Sequence, residues 1–517
     1  MNTLGYVMGL DIGTTSTKAV LFTETGDVVS QHAVEYPLYM PTPATAEQDP
    51  EEIWTAVTQS VRALLETSKI EPSQLLCLSF SAAMHSLIAV GDKGQLLTKS
   101  ITWADNRSAK WADQLKQDQK GLAIYRRTGT PIHAMSPLVK LIWLRNERPQ
   151  IFEQATKFIS VKEFIFYRLL EQYLVDYSIA SATGLMNLKE LTWDKEALET
   201  AGITQQHLSQ LVPTTHIVEK ISEASARELG IPVNTPIVMG ASDGVLANLS
   251  VGAISPGSVA VTVGTSGAVR TVVEHPWTDP QERLFCYALT EKHWVIGGAV
   301  NNGGIVFQWL RDHLGETEVA TAQELDKDSY DLLTNLAQSV PAGAGGLIFH
   351  PYLAGERAPI WDANASGSFV GLTLRHTKAH LIRAVLEGIA FNLNLVLQAL
   401  EDRIGKPISI QATGGLAKSC LWRQILADVF AQEIAVPASY ESTCLGAAVL
   451  GLYALKKIPS LDVVSQMLGD AEQQQPSQEN VEVYQKMIPL YTRLLHHMQG
   501  EYASIAQLQR ELTSTLK

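Results

Sequence analysis

Apolar and polar positions alternate in short blocks over the first hundred residues. YVMGLDI, KAVLFT and VVSQHAVEY read as three consecutive strands, with TETGD as the turn between the second and third. DPEEIWTAVTQSVRALLE then changes period. Ile53, Val57 and Val61 recur at helical spacing behind Asp49 as N-cap, Pro50 at the first helical position and Glu52 three residues after the cap. LLCLSFS returns to strand, and strands, helix and strand in that order predict an α/β layer architecture. From about residue 105 to 230 the pattern is mostly helical, with WLRNERPQIFEQ and VKEFIFYRLL as the clear segments, and it reads as room for an inserted subdomain. Strands resume at PIVMGASDG and SVAVTVGTSGAVRTVV. After Ser460 the chain is polar through EQQQPSQEN and then helical in YQKMIPLYTRLLHHMQ, a tail to which no chemistry is assigned.

An internal echo stands out. MGLDIGTTSTKAVLF, residues 8–22, and VAVTVGTSGAVRTVV, residues 259–273, share one layout: an apolar strand, Gly-Thr followed by Thr or Ser, and a second apolar strand. Each reads as a β-hairpin. Glycine in such a turn lets the backbone come close to a ligand, while N–H groups and hydroxyls converge on an anion. Either hairpin alone is also what an ordinary polar turn looks like. One in each half of the chain predicts a polyphosphate clasped from two sides.

Composition bounds what else the chain can be. At 517 residues it is too long for a single core and predicts two or three domains, two of them large. Its balance, 46% hydrophobic and 18% charged, is that of a globular chain. The net charge of −13 argues against a nucleic-acid partner and against attachment to acidic membranes, but not against a local phosphate nest. Cys77, Cys286, Cys420 and Cys444 are scattered without a CxxC pair, which predicts buried thiols in a reducing compartment. The opening MNTLGYVMGLDIG lacks a basic, apolar leader, and the apolar runs elsewhere break before a membrane span's length, so a cytoplasmic location is expected.

Two acids carry the candidate chemistry. Asp11 interrupts an apolar strand, where a carboxylate needs a partner such as Lys18 or a hydrated cation; a magnesium-phosphate site supplies one. Lys18 also reaches phosphate as a point charge. Asp243, in VMGASDGVLANL, sits at a strand-to-helix turn, placed either to take a proton from a substrate hydroxyl or to serve as an N-cap; spacing alone favours the cap. ISIQATGGLAKSCLWRQILADVF and NNGGIVFQWL each place a Gly-Gly pair before a helix, where backbone can lie against a nucleotide. Neither the P-loop pattern nor a dinucleotide GxGxxG is present.

Together these residues resemble the FGGY carbohydrate kinases, from about Met8 to Leu455. MSPLVKLIWLRNE, residues 135–147, fits that family's first signature, with Lys140 and Trp143 at its fixed positions, and GSFVGLTLRHTKAHLIRAVLE, residues 367–387, fits its second. The resemblance implies an α/β fold of two ribonuclease-H-like domains, in the actin and Hsp70-like ATPase superfold, with the active site in the cleft between them. The corresponding division is 1–250 for acceptor binding, the first phosphate loop and the catalytic acid, 251–460 for nucleotide binding, and 461–517 as a helical tail. ATP with Mg2+ is the implied phosphoryl donor. By position, Asp243 matches the general base. Gly13, Thr14, Thr15 and Ser16, with Lys18, match the first phosphate loop, and Gly264 and Thr265 the second. Gly304, Gln308, Gly414, Gly415 and Ser419 fall where relatives hold the nucleotide, and Asp11 is the metal-side carboxylate.

For the acceptor, Met84 and His85 match a Met-His pair that touches the sugar in xylulose kinases; His85 read alone is equally a core histidine. SAAMHSLIAV, ITWADNRSA, RTGTPIHAMSPL and SVKEFIFYRL look most like the gluconate kinases of the family, and Gly244 stands where xylulose kinases carry Asn. This implies a sugar acid, D-gluconate, phosphorylated on its primary hydroxyl. Asp105, Arg107, His133 and Lys140 are the candidate groups around that acceptor and its carboxylate. A xylulose or ribulose kinase of the same family and a catalytically silent sugar-acid binder stay open as alternatives. Relatives are often dimers, which by analogy implies a homodimer.

Overall fold

The computed structural model describes residues 5–415, 419–437 and 442–514. They form two compact units. The first comprises Met1–Pro256, Val272–Ile296 and Ser439–Gly469; the second comprises Gly257–Thr271, Gly297–Ala438 and Asp470–Lys517. Both are discontinuous in sequence, whereas the resemblance implies a division into three consecutive stretches.

In the first unit the strands Tyr6–Ile12, Ser16–Thr23 and Val28–Glu35 form an antiparallel meander, as the alternation predicts. Leu75–Ala82 adds parallel to Tyr6–Ile12, Ile237–Ser242 adds parallel to Leu75–Ala82, and Ile217–Val218 closes the edge antiparallel. Helix Pro50–Ser68 packs on this sheet with Ile53, Val57 and Val61 buried. Asp49 caps it by accepting from Glu51 N at 3.0 Å. Glu52 accepts from the Tyr39 hydroxyl at 2.7 Å, so the sheet-side loop takes the acid that the pattern offered to a capping box.

Helix Ser442–Ala454 explains the discontinuity. STCLGAAVLGLYA has no polar face, and the helix is set down on Tyr6–Ile12 and Leu75–Ala82, far from it in sequence. Glycine permits the approach: a Cβ on Gly9 would stand 2.1 Å from Cys444 O, and one on Gly446 would stand 2.5 Å from Leu246 O.

The sheet of the second unit repeats the order of pairings. Ser258–Val263 is antiparallel to Gly267–Val273 and parallel to Ser409–Gly414; Ile434–Pro437 continues parallel, and Ala471–Gln474 closes the edge antiparallel. That last strand, AEQQ, lies in the tail read as polar and then helical. Edge pairing needs only backbone ladders, and Gln474 Nε2 ties the strand to its own unit by donating to Gln424 Oε1 at 2.5 Å. Helix Lys378–Ile404 is the core helix of this unit. It alone among the described residues is long and apolar enough to span a membrane, yet 89% of its most apolar window is buried inside the protein. Its apolar run looked too short because Arg383, Glu387, Asn392 and Asn394 interrupt it; all four are buried, and Arg383 pairs with Glu387 at 2.6 Å. Three of the cysteines are buried as expected, whereas Cys420 is exposed.

Strand Ile237–Ser242 carries a bulge between Val238 and Ala241, at Gly240, whose φ is +70°. A Cβ there would lie 1.8 Å from Phe80 O. A bulge re-aims the residues that follow it, here Asp243. Gly240→Ala is expected to destabilise the chain by about 2 to 3 kcal/mol, from left-handed strain plus overpacking. Thermal unfolding checks this, and an unshifted melting temperature would contradict it.

Candidate active site

The first turn, Gly13–Ser16, is tied down from behind. Gly13 N donates to Ser16 O at 2.9 Å, the Tyr36 hydroxyl donates to Gly13 O at 2.8 Å, and Gln48 Nε2 donates to Thr14 O at 2.7 Å. Trp103 Nε1 donates to Thr14 Oγ1 at 3.0 Å, and Tyr36 N donates to Thr15 O at 3.0 Å. These bonds occupy oxygens of the turn, the groups an anion would repel, and so favour a turn that offers N–H and O–H outward. Asp11 lies directly opposite Lys18 across the hairpin and accepts from Ser81 Oγ at 2.7 Å. Burial pushes its carboxyl above the usual range, while the hydroxyls of Ser81 and Thr443 and the charge of Lys18 pull it down.

Asp243 is the first residue of helix Asp243–Leu249, and Ser242 occupies the N-cap position, so the capping reading of Asp243 does not describe it. It is half-buried, and its Oδ1 accepts from Gly244 N at 2.6 Å. Behind it lies a charge pair that the pattern missed. Lys162 and Asp176, both buried, meet at 2.7 Å, and Lys162 Nζ also donates to Ala241 O at 3.2 Å, two residues before Asp243. A Lys-Glu pair inside the mostly apolar VKEFIF was the available signal.

The acceptor candidates converge on one place, with different jobs from those expected. His85 is buried in the left-handed region at φ +68°; its Nδ1 donates to Ala182 O at 2.7 Å, and its ring packs edge-on against Tyr287 with centroids 5.8 Å apart. Met84 beside it is half-buried. Lys140 is fully buried and donates to four carbonyls: His85 O at 2.6 Å, Thr102 O at 2.7 Å, Met135 O at 2.9 Å and Ile101 O at 3.3 Å. An ammonium has three protons, so Lys140 has none left for a substrate carboxylate. Burial pushes it down to about 7; the charge of Asp105 opposes that shift and the charge of Arg107 adds to it.

Arg107 is likewise committed. It is held by Asp105 at 2.8 Å and Glu47 at 2.5 Å, and its guanidinium lies 4.7 Å from the centroid of the Trp143 ring. One cation between two carboxylates leaves a net negative triad, which repels a carboxylate ligand rather than binding it. Asp105 is itself buried and accepts from Ala46 N at 2.9 Å. His133 is buried and its Nδ1 accepts from Met135 N at 3.2 Å, which fixes the local turn.

In the second unit Gly264, Thr265 and Gly304 come together, and Gly414 lies beside the strand that enters that turn. Gly304 N donates to Gly264 O at 2.7 Å and Ile305 N to Thr265 O at 3.0 Å, so the second turn sits on the start of helix Gly304–Leu314. The turn is one residue shorter than the first: Val263 pairs with Gly267, whereas Ile12 pairs with Thr17. Gly264, Thr265 and Gln308 are exposed. Gly414 pairs with Val263 at φ +91°, where a Cβ would lie 2.4 Å from Val263 O. Gly415 follows it, exposed, and Ser419 caps helix Cys420–Phe430 by accepting from Trp422 N at 3.4 Å; Leu416, Ala417 and Lys418 of the quoted motif lie outside the described residues.

Comparison with known proteins assigns the family. Residues 6–250 match the N-terminal domain of the FGGY family of carbohydrate kinases, and residues 259–455 match its C-terminal domain. A gluconokinase of Bacillus licheniformis is 53% identical over 510 residues, covering 98% of this chain and 99% of that protein. Two structures from Lactobacillus acidophilus, one described as a gluconate kinase and one as a ligand-bound xylulose kinase, each superpose with a TM-score of 0.91 at 40% identity, covering 97% of this chain and 100% of theirs. With both domain models matched in order and relatives aligned end to end, the chain belongs to the FGGY family of carbohydrate kinases.

Proposed function

We propose that this kinase transfers the γ-phosphoryl group of ATP to the primary hydroxyl of D-gluconate, forming 6-phospho-D-gluconate. The observation that carries the acceptor is the end-to-end 53% identity to a gluconokinase, well above the 30% shared with a xylulose kinase of Staphylococcus epidermidis. Phosphoryl transfer passes through a loose transition state, so positioning and charge neutralisation supply most of the catalysis. Asp243 is the general base for the acceptor hydroxyl. Thr14, Thr15 and Ser16, with Lys18, hold phosphate oxygens where Gly13 lets the backbone come close; Thr265 does so from its own turn, where Gly264 leaves the space open. Gly304, Gln308, Gly414, Gly415 and Ser419 hold the nucleotide. Met84 and His85 meet the acceptor.

Magnesium fits the donor set at Asp11 in one way. No group of three or more His, Cys, Asp or Glu side chains among the described residues could hold a metal, so the protein offers Asp11 as a single carboxylate, the arrangement Mg2+ takes when phosphates and water complete its shell. When bound there, the ion neutralises charge on the transferring phosphates.

A panel of gluconate, xylulose, ribulose and glycerol, read by ADP formation, tests the acceptor. Gluconate is expected to exceed the others at least a hundredfold in kcat/KM, about 2.7 kcal/mol of discrimination. A preference for xylulose would move the reading to a ketose kinase, and saturable binding without turnover would move it to a silent binder.

The second turn has its own test. A Cβ on Gly264 meets no protein atom within 4 Å, and its φ is not in the left-handed region, so Gly264→Val is expected to fold normally. Its side chain would occupy the phosphate's space and raise the KM for ATP at least tenfold, about 1.4 kcal/mol. Unchanged ATP affinity would remove Gly264 from the phosphate site.

A further inference from the structure

We infer that Glu356 is a positioning residue for the nucleotide site: it holds the Asn301–Asn302 turn from which helix Gly304–Leu314 starts, and thereby sets where Gly304 and Gln308 stand. The inference rests on the reading above that those two residues contact the nucleotide.

Glu356 is fully buried and receives four N–H donors, two on each oxygen. Asn301 N donates to Oε1 at 2.5 Å and Arg357 N at 2.8 Å; Asn302 Nδ2 donates to Oε2 at 3.0 Å and Asn392 Nδ2 at 2.8 Å. Two of the four come from the turn and one from the core helix Lys378–Ile404, so the carboxylate bridges a rigid element to the segment that enters helix Gly304–Leu314. The turn is zipped on further. Asn302 Nδ2 donates to Gly355 O at 2.7 Å, Asn302 Oδ1 accepts from Ala354 N at 3.1 Å, Asn301 Nδ2 donates to Ala354 O at 3.0 Å, and Ala358 N donates to Ala299 O at 3.0 Å. Those bonds fix which end of the Asn302 amide faces Glu356.

On the other side the chain has no slack. A Cβ on Gly303 would meet Ser266 backbone at 2.6 Å and one on Gly304 would meet Gly264 O at 2.7 Å. Residues 303–304 are thus pinched between the phosphate turn Gly264–Ser266 and the turn held by Glu356. A small displacement of Asn301 or Asn302 has to be taken up at Gly304, and a misplacement of about 1 Å at a site of positioned groups costs orders of magnitude in function.

A carboxylate is the group this arrangement needs. Four converging N–H donors match two anionic oxygens and offset part of the cost of burying the charge, which on balance still pushes the carboxyl above its usual range. Glutamine has one oxygen and would turn an NH2 toward two of the donors.

The test compares Glu356→Gln and Glu356→Asp with wild type, measuring melting temperature and the KM values for ATP and for gluconate. Glu356→Gln is expected to raise the ATP KM about tenfold with the gluconate KM within about twofold, and Glu356→Asp, which restores the charge one methylene short, to recover part of that loss. Should Glu356→Gln fail to fold, Glu356→Asp alone decides by the same split. An ATP KM within about twofold of wild type, or equal rises in both KM values, would overturn the inference in favour of a merely structural role. Gln308→Ala separates the two readings. If it raises the ATP KM while Glu356→Gln does not, the positioning role falls; if neither variant raises it, the nucleotide assignment falls as well.

Discussion

Asp243→Asn is expected to lower kcat at least about a thousandfold while leaving the dissociation constants for ATP and gluconate within about twofold. The substitution is close to isosteric, and the asparagine oxygen can still accept from Gly244 N, the bond that Asp243 Oδ1 makes at 2.6 Å. The start of the helix and the bulge behind it are therefore retained, and what is lost is a group able to take a proton. A thousandfold loss corresponds to about 4 kcal/mol of transition-state stabilisation, within the range a positioned general base supplies. Single-turnover phosphoryl transfer with calorimetric binding of each ligand checks it. A variant that retained more than about a tenth of the activity would assign proton removal to another group.

Lys140→Met is expected to cost about 3 to 5 kcal/mol of stability and, in the fraction that folds, to raise the KM for gluconate at least tenfold with the ATP KM nearly unchanged. Methionine fills the volume of the aliphatic stem but leaves four buried carbonyls, of His85, Ile101, Thr102 and Met135, without their shared donor. Those carbonyls belong to three separate segments, and one of them is that of His85, whose backbone is left-handed. The stability loss is read by chemical unfolding, and the KM split by steady-state kinetics. Equal losses in both KM values would show that Lys140 supports the whole unit and not the acceptor segments.

Much of the architecture was legible because its determinants are local. Strand alternation, the capped helix at Pro50 and the two Gly-Thr turns are written within windows of about ten residues, and the structure forms each of them. Of the residues proposed for the site, those that stand out in the sequence are a lone acid in an apolar strand, Asp11, and glycines such as Gly304 and Gly414, where the structure leaves no room for a Cβ. Candidate roles based on charge alone fared differently. Arg107 and Lys140 looked like anion receptors, but Arg107 is taken up by Asp105 and Glu47, and Lys140 by main-chain carbonyls.

By itself, then, the sequence determined the elements, the two matching hairpins and the residue types able to handle phosphate, because backbone propensity and side-chain chemistry act at short range. Tertiary structure decided what those residues are free to do. It laid helix Ser442–Ala454 across Gly9, gave the polar AEQQ an edge to pair with, placed Lys162 and Asp176 behind Asp243, and closed four donors around Glu356. Whether a buried charge receives a ligand or holds the fold depends on which partners lie within about 3 Å of it, and those partners come from segments tens to hundreds of residues away.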